Sequence, residues 1–86
     1  MDVAHIDLWI TLAEIKAELR LMTWEMQSHG IGSHFTGRGP KWTVQLVTLA
    51  SGERMGAATA GTLVMRLPDD LALEAKEQAL SKLESK

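Results

Sequence analysis

Eighty-six residues are enough for one hydrophobic core and too few for a second domain, and a content of 45% apolar and 23% charged residues is that of an ordinary globular chain. A net charge of −2 argues against a protein whose affinity comes from neutralising many phosphates, and equally against a heavily acidic DNA mimic. With no cysteine, disulfide staples and thiolate metal sites are excluded.

At the N-terminus, Asp2, Asp7, Glu14 and Lys16 interrupt the apolar residues, which is unlike a signal peptide. No apolar run reaches the roughly 20 residues that span a bilayer, so the expected compartment is the cytoplasm and no membrane partner is expected. Asp7 to Ser28 contains neither Pro nor Gly and is rich in Leu, Ala, Glu, Lys and Met. This composition predicts a helix over about 6–28, stopped at His29-Gly30-Ile31-Gly32, where Gly30 suits a left-handed cap.

At about 100° per residue, Leu8, Leu12, Ile15, Leu19, Met22 and Met26 fall on one stripe with heptad-like spacing. Ile6, Ile10, Ala13, Ala17, Leu21 and Trp24 make a second stripe on the opposite side. Asp7, Thr11, Glu14, Glu18 and Glu25 form an acidic flank between them, and Lys16, Arg20, Thr23, Gln27 and Trp9 a mildly basic one.

A Gly-rich loop is expected over 29–40. From Lys41 the composition turns to β formers, with Trp42, Val44 and Leu46 alternating against Thr43, Gln45 and Val47. Ser51-Gly52-Glu53 supplies a turn, and Met55 to Leu67 returns as a second extended segment with Gly61 as a bulge or break. The expectation for 41–67 is a hairpin or a three-stranded sheet. Its Gly56-Ala57-Ala58-Thr59-Ala60-Gly61 stretch is small enough for another element to pack closely over it. Pro68 ends the sheet, and Asp69 or Asp70 caps an amphipathic helix over 69–84 through Leu71, Ala72, Ala75, Ala79 and Leu83. The chain therefore reads as a single α+β domain, α-β-β-(β)-α, that is α-β-β-α, or α-β-β-β-α if Ser33 to Thr36 makes an edge strand, with two helices on a small antiparallel sheet.

A helix lying on a sheet needs one apolar stripe, and this one has two. The cover of the second is either internal, with the first helix a central pillar between hairpin and closing helix, or another chain. The external reading assigns partner binding to the seam Leu8, Leu12, Ile15, Leu19, Met22 and Met26 together with Trp9, either in a homodimer through the first helix or against a foreign protein. Trp24 and Trp42 are expected in the core.

Catalytic and cofactor chemistry find little support. Gly32-Ser33-His34-Phe35-Thr36-Gly37-Arg38-Gly39 has two glycines five apart followed by a cation, but it lacks the Lys-Ser/Thr of a phosphate loop and opens a strand instead of a helix. His5, Asp7, His29 and His34 match no common metal-ligand spacing. There is no Cys or Tyr, and no Ser or Thr has an evident base nearby. The sequence thus predicts no enzyme, no metal and no cofactor, with the helix carboxylates read as solvated faces.

Gly39-Pro40-Lys41-Trp42-Thr43-Val44-Gln45-Leu46, the turn and small-residue strand from Ser51 to Gly61, and the closing helix through Glu74-Ala75-Lys76-Glu77-Gln78-Ala79-Leu80 resemble the second half of a double-stranded-RNA-binding domain. The resemblance implies an α-β-β-β-α layout. That family grips phosphates with a Lys-Lys-x-Ala-Lys cluster at the start of its last helix, where this chain reads Pro68-Asp69-Asp70-Leu71-Ala72. A degenerate RNA-binding domain using His34, Arg38 and Lys41 as a basic loop is therefore the alternative. A looser likeness, of size and simplicity alone, is to small phage-encoded inhibitors such as anti-CRISPR proteins. The leading expectation is a non-enzymatic protein-binding module, an inhibitor of that kind that blocks a larger host complex, with a protein partner, nucleic acid being left to the alternative.

Overall fold

The computed structural model describes residues 3–29, 32–48, 51 and 54–84, with side chains over 8–27, 33–48, 51 and 55–84. Its elements are α1 (Val3–Leu19), β1 (Thr23–His29), β2 (Gly32–Arg38), β3 (Thr43–Thr48), β4 (Arg54–Ala60), β5 (Leu63–Arg66) and α2 (Asp69–Glu84). All neighbouring strands pair antiparallel in the order β1-β2-β3-β4-β5, a meander with both helices packed on one face. The fold class is α+β as the composition pattern predicts, and three strands, β3 to β5, occupy the expected sheet region.

Two further strands are present: β1 stands where a helical tail was expected, and β2 lies in the expected loop region and contains the alternative edge strand at Ser33 to Thr36. The helix ends at Leu19 through tight turns in which Leu21 N–H donates to the Glu18 carbonyl and Met22 N–H to that of Leu19. The Lys82 ammonium, near the end of α2, donates to the carbonyls of Arg20 and Met22, the latter at 2.7 Å, and satisfies acceptors that the ended helix exposes. From Thr23 the period becomes two: Trp24 is buried and Met26 shares its face, while Thr23, Glu25 and Gln27 lie on the other. Met22 to Met26 is a helical spacing and Trp24 to Met26 a strand spacing, so this short run fits both periods. Gly30, Gly52 and Glu53, read above as helix stop and turn, lie outside the described residues.

Pairing register sorts the sheet into two faces. Trp24, Phe35, Gly37, Val44, Leu46, Gly56 and Ala58 share the helix side, and Thr23, Glu25, His34, Thr36, Arg38, Gln45 and Thr59 the open side. The core joins the first set to Ile15 and Leu19 of α1, to Met22, Trp42 and Leu67, and to Leu71, Ala75 and Ala79 of α2. The small residues of β4 admit α2 closely: a Cβ at Gly56 would lie 3.2 Å from Ala72 Cβ and 3.1 Å from Leu46 Cδ2. At the start of α2, the Asp70 carboxylate accepts Leu71 N–H at 2.9 Å, and the Pro68 carbonyl accepts Ala72 N–H.

Candidate protein-binding surface

α1 and α2 run side by side in the same direction. Trp9, Leu12, Ala13 and Lys16 line a groove of about 580 Å³ with Pro68, Asp70, Leu71 and Glu74, and Lys16 Nζ lies 3.8 Å from Glu74 Oε2. On the side of α1 facing the sheet, Ile15 and Leu19 are fully enclosed and Leu12 packs against the core. On the opposite side, Ile10 is 60% exposed, Ala13 and Ala17 are exposed, and Leu21 just past the helix end is 62% exposed. Trp9, at the groove margin, is 74% exposed.

This arrangement exchanges the roles of the two stripes. Of the residues assigned to a partner from sequence, Ile15, Leu19 and Met22 are core side chains with no surface to offer, and Leu12 is half-buried beside them. Their spacing is a seam because the sheet and α2 complete it. Leu8 and Met26 are exposed at the two ends of the former stripe, and Met26 belongs to β1. The outward surface is instead the second stripe, Ile10, Ala13, Ala17 and Leu21, bordered by Trp9. The described side chains do not include Ile6.

Within the acidic flank, Glu14 and Glu18 have partners in the fold. Glu18 Oε1 accepts the backbone N–H groups of Lys41 and Trp42, both at 3.0 Å. Glu14 Oε1 lies 2.9 Å from Lys41 Nζ and accepts the Trp42 indole N–H at 3.3 Å. Lys41 Nζ is also 5.8 Å from the centre of the Trp42 ring, within cation–π range. These bonds fasten α1 to the turn between β2 and β3, which Gly39 N–H closes onto the Trp42 carbonyl. They hold the Glu14 carboxyl below its ordinary range, first through the hydrogen bond from Lys41 and then through that from Trp42.

The three residues of the basic-loop alternative are distributed differently from a loop. His34 and Arg38 stand on the open face of β2, and Lys41 lies in the following turn. Arg38 Nη1 pairs with Glu25 Oε2 at 3.2 Å, and Lys41 pairs with Glu14, so both cations face carboxylates. His34 is half-buried between Gln27 and Val47, with its Nε2 enclosed. The side chains of His5, Asp7 and His29 lie outside those described. Among the described residues, no three His, Asp or Glu side chains form a metal-binding group, and no helix is long and apolar enough to cross a membrane.

A second apolar area lies on the open face of the sheet, where Val47, Met55, Ala57 and Val64 border a shallow depression with Gln45 and Arg66. It is interrupted by polar strand residues, whereas the outer face of α1 is apolar along the helix. No protein-family model, curated protein or solved structure matches this chain.

Proposed function

We propose that this chain is a non-enzymatic protein-binding module that engages a polypeptide through the outer face of α1. The observation that carries the reading is the exposure of Trp9, Ile10 and Leu21, at 74, 60 and 62%, around Ala13 and Ala17 on a helix whose other side already fills the core. A helix in a two-layer domain needs only its inner stripe for folding. Large apolar side chains grouped on the outer stripe gain by leaving water, and Trp is enriched among the residues that dominate interface energetics. The acidic residues Glu14 and Glu18 hold the neighbouring turn, a structural task that supports a binding reading over an acid–base one.

The duplex-RNA alternative is weakened by the carboxylates that face Arg38 and Lys41. Photo-cross-linking tests the proposal. The chain has no cysteine, so a single Ala17→Cys carries a benzophenone at the centre of the surface. Adducts to a polypeptide, reduced when Trp9→Ala is added, are expected. An absence of polypeptide adducts together with salt-sensitive binding of duplex RNA would replace this reading with the alternative.

A further inference from the structure

We infer that the occupant of the outer α1 face is a second copy of this chain, packed antiparallel about a two-fold axis close to Ala13, an inference that rests on the protein-binding reading above. The first reason is the distribution of bulk along the stripe. Its N-terminal end carries Trp9 and Ile10, its middle Ala13, and its C-terminal half Ala17 followed by Leu21. Antiparallel pairing sets Ile10 over the partner's Ala17 and the two Ala13 positions near the axis. Large meets small, and the alanines let the axes approach toward the short end of the ~8–10 Å helix–helix range. A parallel pair would stack bulk on bulk at one end and leave a gap over the alanines at the other.

The second reason is chemistry on the flank. Continuing the spacing of α1 one residue past its end at Leu19, Arg20 falls about 20° from Trp9 around the helix at 100° per residue, near the opposite end of the patch. A two-fold axis perpendicular to the helices keeps this flank on the same side in the second copy. Trp9 of each protomer therefore comes beside the partner's Arg20, and the guanidinium can stack on the indole. Both residues are exposed, and both are types favoured at interface hot spots. The pairing occurs twice, as two-fold symmetry requires. α2 flanks α1 on this same side, where Lys16 faces Glu74, and Trp9 and Arg20 stay exposed beside it.

The third reason is area. Trp9 at 74% exposure offers ~150 Å², and Ile10 and Leu21 at 60 and 62% add ~200 Å². With the two alanines each protomer has ~400 Å² of apolar surface, or ~800 Å² per pair. A standard interface of ~1,600 Å², somewhat over half of it apolar, needs about that amount.

The test is the mass of the full chain in solution, by sedimentation equilibrium at micromolar concentration. Twice the 9.5 kDa chain mass is expected for the wild type. Ala13→Glu sets two carboxylates against each other near the axis and is expected to weaken association ~100-fold or more, with the circular dichroism and melting temperature of the monomer retained. Ala17→Glu, also at an exposed position, is a second variant with the same expected result. In the cysteine-free background, oxidation of mixed Ile10→Cys and Ala17→Cys chains is expected to give the mixed disulfide faster than either self-paired one. A monomeric wild type, or a dimer indifferent to both glutamates, overturns the proposal. Preferred self-pairing at both cysteine positions overturns the antiparallel arrangement. A monomer that still forms adducts to a foreign polypeptide from position 17 overturns the self-association while leaving the protein-binding reading standing.

Discussion

Gly37→Ala is the substitution that tests the core most directly. Gly37 pairs with Trp24 across β1 and β2, and a Cβ there would lie 2.8 Å from three atoms of the Trp24 ring. Ordinary carbon–carbon contact begins near 3.5 Å, so the ring would have to retreat by roughly 0.7 Å. It has nowhere to go, because Trp24 is 2% exposed and joins the cluster with Phe35 and Val44. Overpacking of this kind costs about 1–3 kcal/mol, against about 0.5–1 kcal/mol recovered by removing a glycine from a strand. The net expectation is a loss of about 1–2 kcal/mol, and a melting temperature lower by roughly 5–15 °C for a domain of this size. Thermal and urea unfolding followed by far-UV circular dichroism measure it. Trp24→Leu removes the ring, so adding Gly37→Ala to that background should be neutral or stabilising. A Gly37→Ala chain as stable as the wild type would refute the claim that a small residue at 37 makes room for the indole.

Leu19→Glu and Ala17→Glu differ by two positions and should differ in kind. Leu19 is buried, so a carboxylate there is unpaired in the core and should abolish the cooperative unfolding transition, whereas Ala17→Glu should leave monomer stability within about 0.5 kcal/mol. Glu18→Ala removes the acceptor of two backbone N–H groups and should cost about 1–3 kcal/mol in urea titrations, with Glu18→Gln recovering part of the loss through its carbonyl oxygen. For Glu14, the carboxyl is lowered by Lys41 and Trp42, so the folded state favours its ionised form. Its contribution is full above the ordinary carboxylate range and is lost as pH falls through the lowered value. Melting temperatures of wild type and Glu14→Gln should therefore differ at neutral pH and converge in acid. A gap independent of pH would remove the charge from the account.

The parts of the fold that were legible in sequence have one dominant period. β3 alternates unambiguously, α2 has a proline before it, a capping aspartate and one apolar face, and the small residues of β4 announce the close approach of a helix. The failures come from signals that two structures share. Leu21-Met22-Thr23-Trp24-Glu25-Met26 satisfies periods of both two and 3.6, and nothing as local as a proline or glycine marks Leu19 as the end of a helix. That mark is supplied from 62 residues away by Lys82. The loop reading of 29–40 followed glycine content, but Gly37 serves a strand by admitting Trp24, so its signal was steric and lay on another segment. The tasks of Glu14 and Glu18 are likewise set by Lys41 and Trp42, beyond the reach of a helical wheel.

The interchange of the two α1 stripes has a physical logic that the same wheel contains. Leu12, Ile15 and Leu19 are larger than Ala13 and Ala17, so a sheet that can bury only one side of the helix gains more by taking the larger side chains. The alanine side is then what remains outward, and small residues flanked by Trp9, Ile10 and Leu21 form a shallow strip, poor as a core face and well shaped to receive another helix. Shortening α1 at Leu19 strengthens this division. It moves Trp24 off the outer stripe and into the sheet, where it covers Gly37, and leaves Trp9 as the large ring on the outward side. One aromatic anchors the fold and the other is available to a partner. Trp9→Ala should therefore lower association without lowering stability, and Trp24→Ala should lower stability first. Equal losses of stability in the two would place Trp9 among the residues that hold the fold.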